Sequence, residues 1–87
     1  MSAKTKEMYY EKVEKARARY NIYMRDFDRT TFEINEAYQA IIDAINELNK
    51  IEYETSGLFY SVYYVYTDRE GLAHITASLK CNEKSDF

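Results

Sequence analysis

The sequence predicts an α+β protein, in which two antiparallel helices precede a C-terminal β-hairpin and the whole assembles as a homo-oligomer. Three observations carry that expectation. First, Thr31 to Ile51 sets Ile34, Ala37, Tyr38, Ile41, Ile42, Ala44, Ile45, Leu48 and Ile51 over about half of a helical circumference, wide enough for two different neighbours. Second, Leu58 to Thr67 and Leu72 to Cys81 are strand-like runs separated by Asp68-Arg-Glu-Gly71. Third, the charge is lopsided. Lys4 to Arg25 holds seven basic residues against three acidic, and Asp26 to Glu54 holds eight acidic against two basic. Segments of opposite charge attract when folded back on one another.

Residues 3–25 form the first predicted helix. Tyr9, Val13, Ala16, Tyr20, Tyr23 and Phe27 recur at spacings of three and four, which places them on one seam. Met8 and Ile22 point away from it. The segment Asp26-Phe-Asp-Arg-Thr-Thr reads as a break, because Thr30 followed by Glu33 matches a capping box at the start of a second helix, residues 31–51. A competing reading exists. The apolar positions continue in step through Thr30, Ile34, Ala37, Ile41, Ala44, Leu48 and Ile51, so residues 3–51 could form one coiled-coil helix of ~70 Å. The opposed charges and the wide apolar arc favour the hairpin of helices.

Glu52 to Gly57 is expected to leave the helix. The strands 58–67 and 72–81 follow, then a polar tail, residues 82–87. A type I turn at Asp68 with Gly71 in the left-handed position sets Val65 opposite Ile75 and Tyr63 opposite Ala77. One face then carries Phe59, Tyr63, Val65, Ile75, Ala77, Leu79 and Cys81 and should rest on the helices. The other carries Leu58, Tyr60, Val62, Tyr64 and Tyr66 with His74, Thr76, Ser78 and Lys80. A two-stranded sheet has two open edges and is marginal alone, so a second copy is expected to cover it, edge to edge or plate to plate.

The totals limit the function. Eighty-seven residues make one domain, with a single cysteine, Cys81, and therefore no internal disulfide. The start MSAKTKEMYY has no apolar run, so no signal peptide is expected, and no stretch approaches the ~18–20 apolar residues of a membrane span. A cytoplasmic location is the expectation. Ten tyrosines in 87 residues are more than a small core hides, and tyrosine favours interfaces because its apolar ring carries a polar tip.

Catalytic patterns are weak. His74 is the one imidazole; Ser61 and Cys81 fall on the opposite face, and Thr76 and Ser78 lie ~7 and ~13 Å along the strand. One histidine and one cysteine cannot make a zinc site, and two isolated glycines make no phosphate loop. Lys12, Lys15 and Arg19 line one helix edge, too few charges for strong nucleic-acid binding by an acidic chain. No enzyme activity, cofactor or metal is expected. The expected function is non-enzymatic binding. A small inhibitor or adaptor would block a partner protein with Tyr60, Tyr64, Tyr66, His74, Thr76 and Lys80, together with the outward acidic ridge Glu36, Asp43 and Glu47. One alternative is an oligomer that sequesters a small ligand such as a nucleotide, stacked on Tyr60, Tyr64 or Tyr66, with His74, Thr76, Ser78 or Lys80 as polar contacts. Another is a small RNA-binding or structural oligomer. In composition alone the chain is similar to small accessory proteins of bacteriophages, including those that blunt host defence: short, without proline, and rich in tyrosine and charge. That resemblance implies an anti-defence role and assigns no site residues.

Overall fold

The helical segment breaks where the capping signal stands. The computed structural model describes residues 3–81, with side chains from Lys6 onward, and the predicted tail 82–87 lies outside them. The elements are α1 (Ala3–Met24), α2 (Thr31–Thr55), β1 (Phe59–Thr67) and β2 (Ala73–Cys81). Thr30 is extended, and its hydroxyl accepts from the Glu33 N–H at 3.1 Å while the Glu33 carboxylate accepts from the Thr30 N–H at 3.2 Å. This reciprocal cap satisfies two donors that a helix start leaves unpaired. The Thr30 N–H, and then the Arg29 guanidinium at 2.9 Å, hold the Glu33 carboxyl below its usual range. The two helices therefore pack as a hairpin.

The same break corrects the first seam. Phe27 was expected to continue it, yet its side chain is 103% exposed. Hydrogen bonds from Arg25 N to Ile22 O and from Arg29 N to Asp26 O curl the chain there, and Arg29 ties the curl to both Asp26 and Glu33. The Arg29 guanidinium also lies 4.0 Å from the Tyr23 ring centroid. The interface between helices is built from Val13 and Tyr20 against Ala37, Ile41, Ala44 and Leu48. Lys12 reaches Glu47 at 2.9 Å and Lys6 reaches Glu52 at 3.1 Å, so the opposed charges do meet across the pair.

Helix α2 runs one turn beyond its predicted end, through Glu52 to Thr55. Tertiary contacts hold that turn. Ile51 is buried, Glu52 is only 8% exposed and bound by Lys6, and Tyr53 packs edge-on against Tyr60 at 5.2 Å. The Thr55 hydroxyl donates to Ile51 O at 2.8 Å, and Ser56 N closes the end on Glu52 O.

The hairpin adopts the predicted register, with Val65 paired to Ile75 and Tyr63 to Ala77. Gly71 N donates to Asp68 O at 2.9 Å and Asp68 N to Leu72 O at 3.0 Å. Gly71 sits at φ +84°, where a β-carbon would be strained and would meet Met24 Cε at 2.7 Å. The inner face is correct only near the turn. Tyr63, Val65, Ala73 and Ile75 join the core, whereas Phe59, Ala77, Leu79 and Cys81 are exposed. Leu79 is 69% exposed and Phe59 54%. The cause is an overhang. Tyr20 and Asn21 of α1 grip Gly71 and Ala73, and from Thr76 onward β2 is uncovered on both faces.

The edges of the sheet are met by asparagines. Because Asp68 and Leu72 are hydrogen-bonded, alternation makes the odd-numbered residues of both strands turn their N–H and C=O groups outward. Asn49 of α2 reaches Tyr63 at mid-strand, accepting from its N–H at 2.7 Å and donating to its C=O at 3.1 Å. Asn21 of α1 makes the same pair with Ala73 at 2.7 and 3.1 Å. The open edges expected from the sequence are thus partly closed within the chain.

Candidate functional site

Alternation places Tyr60, Val62, Tyr64 and Tyr66 on the outer face of the hairpin with His74, Thr76, Ser78 and Lys80. Neither helix covers this face toward the turn: Tyr64 is 41% exposed and Tyr66 53%. Tyr66 pairs with His74 across the strands, and their rings stack at 5.4 Å with 28° between planes. His74 Nε2 lies 2.7 Å from Asp68 Oδ2. The other oxygen of Asp68 accepts from the N–H groups of Glu70 at 2.8 Å and Leu72 at 3.0 Å. His74, followed by these two backbone donors, keeps the Asp68 carboxyl below its ordinary value. One carboxylate therefore shapes the turn and anchors the imidazole that supports Tyr66.

Tyr64 is held differently. Lys80 Nζ stands 5.9 Å from its ring centroid. The Lys80 ammonium, and then the Ser78 hydroxyl, hold the Tyr64 phenol below its usual value, and the phenol in turn raises Lys80. Each of these two exposed rings thus has a polar neighbour, Lys80 beside Tyr64 and His74 stacked on Tyr66. Tyr60, the third expected ring, is drawn instead to Tyr53 and is half-buried. Thr76 is exposed on β2 directly opposite Tyr64, next to His74 on the same face.

The acidic ridge does not join this plate. Asn49 and Tyr53 mark the side of α2 that meets the hairpin, while Glu47 leans to Lys12 across the groove between helices. Asp43 accepts from Gln39 at 3.0 Å, and Glu36 is exposed on the same outward side of α2. The tyrosine face and the acidic ridge are therefore two separate surfaces. On the basic edge of α1, Lys12 is matched by Glu47, while Lys15 is exposed and Arg19 lies 5.7 Å from the Tyr23 ring.

Two concavities among the described residues are open. One of about 280 Å³ runs between α2 and β1, lined by Ile42, Ile45, Asn46, Asn49, Tyr63, Tyr64 and Val65. Another of about 290 Å³ lies among Met8, Tyr9, Lys12 and Glu47. Among the described residues no serine, threonine or cysteine hydrogen-bonds His74, and no three histidine, cysteine or acidic side chains converge as metal ligands would. No helix among them is long and apolar enough to cross a membrane.

Three residues that position this surface escape a reading of composition: Asp68, Asn21 and Asn49. Asp68 was legible as a turn former only. Its contact with His74 follows from the register, which brings residue 74 opposite 66 and so beside the turn. Asn49 sits inside α2, where the residue is a poor helix former, and that mismatch is the signal available; Asn21 lies in the last turn of α1, where the residue is commonplace. Comparison with protein-family models, with curated proteins and with solved structures finds no match to this chain.

Proposed function

We propose that this protein is a non-enzymatic binding module, a small inhibitor or adaptor that acts by covering part of another protein with the outer face of its hairpin. One observation carries the reading: Tyr64 and Tyr66 stand at the surface of one face, Tyr66 held by its stack on His74, which Asp68 anchors, and Tyr64 with the Lys80 ammonium 5.9 Å from its ring centroid. A restrained aromatic ring loses little freedom on binding, which is why such rings dominate the energetics of protein interfaces. The two concavities described among residues 3–81 are too open to bury most of a small ligand, as ligand pockets do, and this favours a macromolecular partner. The acidic ridge on α2 faces elsewhere and contributes nothing to this contact.

The test is site-specific photocrosslinking in host lysate. A benzophenone side chain at Thr76, opposite Tyr64, should give one adduct whose mass is that of this chain joined to a different protein, distinct from any adduct between two copies of the chain. The same probe at Glu36 should give none. The Thr76 adduct should disappear in a Tyr64→Ala/Tyr66→Ala variant that keeps its circular dichroism. The absence of an adduct at Thr76, or an adduct indifferent to both tyrosines, overturns the proposal.

A further inference from the structure

The two edges of the hairpin are closed to different extents. On β1, Asn49 occupies the outward N–H and C=O of Tyr63, in the middle of the strand. On β2, Asn21 occupies those of Ala73, the first residue. Among the described residues no hydrogen bond reaches the outward groups of Ile75, Ala77, Leu79 or Cys81. An unbroken edge of seven residues, 75–81, is left as a template for another strand. We propose that a second copy of this chain fills it, the two β2 strands pairing antiparallel about a two-fold axis at Ser78 into one four-stranded sheet, β1-β2-β2-β1. The proposal stands independently of the binding reading, since it uses the edge of the sheet and not its outer face.

The free edge is self-complementary in that register. Ile75 meets Cys81 of the partner subunit and Ala77 meets Leu79 of the partner subunit, in four bonded pairs that exchange about eight main-chain hydrogen bonds. Every outward group from 75 to 81 is matched and none is left over. The side chains agree. Leu79, bare in the single chain, lies against the small Ala77 of the partner subunit, and Ser78 faces Ser78 of the partner subunit. Lys80 sits opposite Thr76 of the partner subunit, so the two ammonium groups stay ~14 Å apart along the strand. Other registers are worse. Centring the pair on Lys80 sets the two ammonium groups face to face, and centring it on Thr76 drives the strand into the Asn21–Ala73 contact. A two-stranded sheet is marginal in water, and pairing with a second copy doubles the number of strands just where the hairpin extends beyond its helices. A C2 contact of this kind closes on itself, so assembly stops at the dimer.

The register is tested by disulfide trapping in a Cys81→Ser background. Residue 78 faces its own copy at a non-hydrogen-bonded position, where the β-carbons come close enough to bridge. Ser78→Cys should therefore trap a covalent dimer, on the order of tenfold more than Thr76→Cys or Lys80→Cys alone. Mixing the last two variants should restore trapping, because 76 faces 80. In parallel, Ala77→Pro removes an outward N–H that the hairpin itself does not use. Sedimentation equilibrium should show the wild type at twice 10.4 kDa and the proline variant at 10.4 kDa with its helix and strand content intact. Leu79→Lys should dissociate the dimer as well. A wild type that stays monomeric at high micromolar concentration overturns the proposal. So does equal trapping at 76, 78 and 80, or a dimer that tolerates both Ala77→Pro and Leu79→Lys.

Discussion

The two halves of one hairpin have opposite fates. Toward the turn, the strands are held on the inner face and at both edges: Tyr20 donates to Gly71 O at 3.0 Å, Asn21 and Asn49 take the edges, and Val65, Ala73 and Ile75 enter the core. Toward the open end, the same two strands in the same register carry Phe59, Ala77, Leu79 and Cys81 into solvent. Strand propensity does not distinguish the halves, since Leu79 and Val65 are both good inward residues. What separates them is the reach of α1, which grips β2 at its first residue only. Pairing builds a strand, and a neighbouring layer decides how much of it becomes core.

The sharpest contrast is one deletion made in two places. Leu48 is fully buried between the helices and Leu79 is 69% exposed. Leu48→Ala should lower unfolding free energy by about 2–5 kcal/mol, through lost transfer energy and the cavity left behind. Leu79→Ala should change it by less than about 0.5 kcal/mol when urea unfolding is followed at concentrations too dilute for pairing. A Leu79→Ala loss as large as that of Leu48→Ala would show that the overhang is packed in solution and would erase the comparison.

The asparagines give the next effect. Asn49→Ala leaves the Tyr63 N–H and C=O without their partner, and Asn21→Ala does the same at Ala73. Each should cost about 1–3 kcal/mol. Hydrogen exchange localises the loss. In dilute wild-type protein the Tyr63 and Ala73 amides should be protected and those of Ala77 and Leu79 should exchange quickly. Asn49→Ala should free the Tyr63 amide by about tenfold or more, since about 1.4 kcal/mol is a tenfold change in an opening equilibrium. Protection at Ala77 and Leu79 that rises with protein concentration would be the mark of the paired edge.

Signals local to a few residues were the legible ones. Thr30 and Glu33 marked the second helix, and Asp68 with Gly71 set the register of the whole hairpin, because a turn and a cap are decided within four residues. The outer face with Tyr64, Tyr66, His74 and Lys80 followed from that register by alternation. Distances between elements were not legible. The extra turn at Glu52 to Thr55 rests on Lys6, which is remote in sequence, and on Tyr60, which comes back to Tyr53 only once the chain has turned into β1. The overhang depends on where α1 lies, and the separation of Glu36, Asp43 and Glu47 from the tyrosines depends on which flank of α2 the hairpin chose. Asn21 and Asn49 read as indifferent helix residues until a strand edge stands beside them.

The smallest expected effect belongs to the join between the held turn and the exposed plate. The Asp68 carboxyl is held below its ordinary value, first by His74 and then by the backbone donors of Leu72 and Glu70. A carboxyl lowered in the folded state stabilises the fold fully above the value it has when unfolded, near 3.8, and loses that contribution as pH falls through the folded value. Asp68→Asn keeps an oxygen that can accept from both N–H groups and removes the titrating charge beside His74. The variant should therefore be less stable than wild type at about pH 7, and the gap should narrow as pH falls toward about 2.5, measured as urea midpoints. Glu33, also lowered, is present in both proteins, so it shapes the acid limb of each without altering their difference. A gap that stays constant with pH would assign Asp68 to turn geometry alone. Tyr66 and His74 would then hold their stacked arrangement without help from the carboxylate, and the two halves of the hairpin would be electrostatically independent.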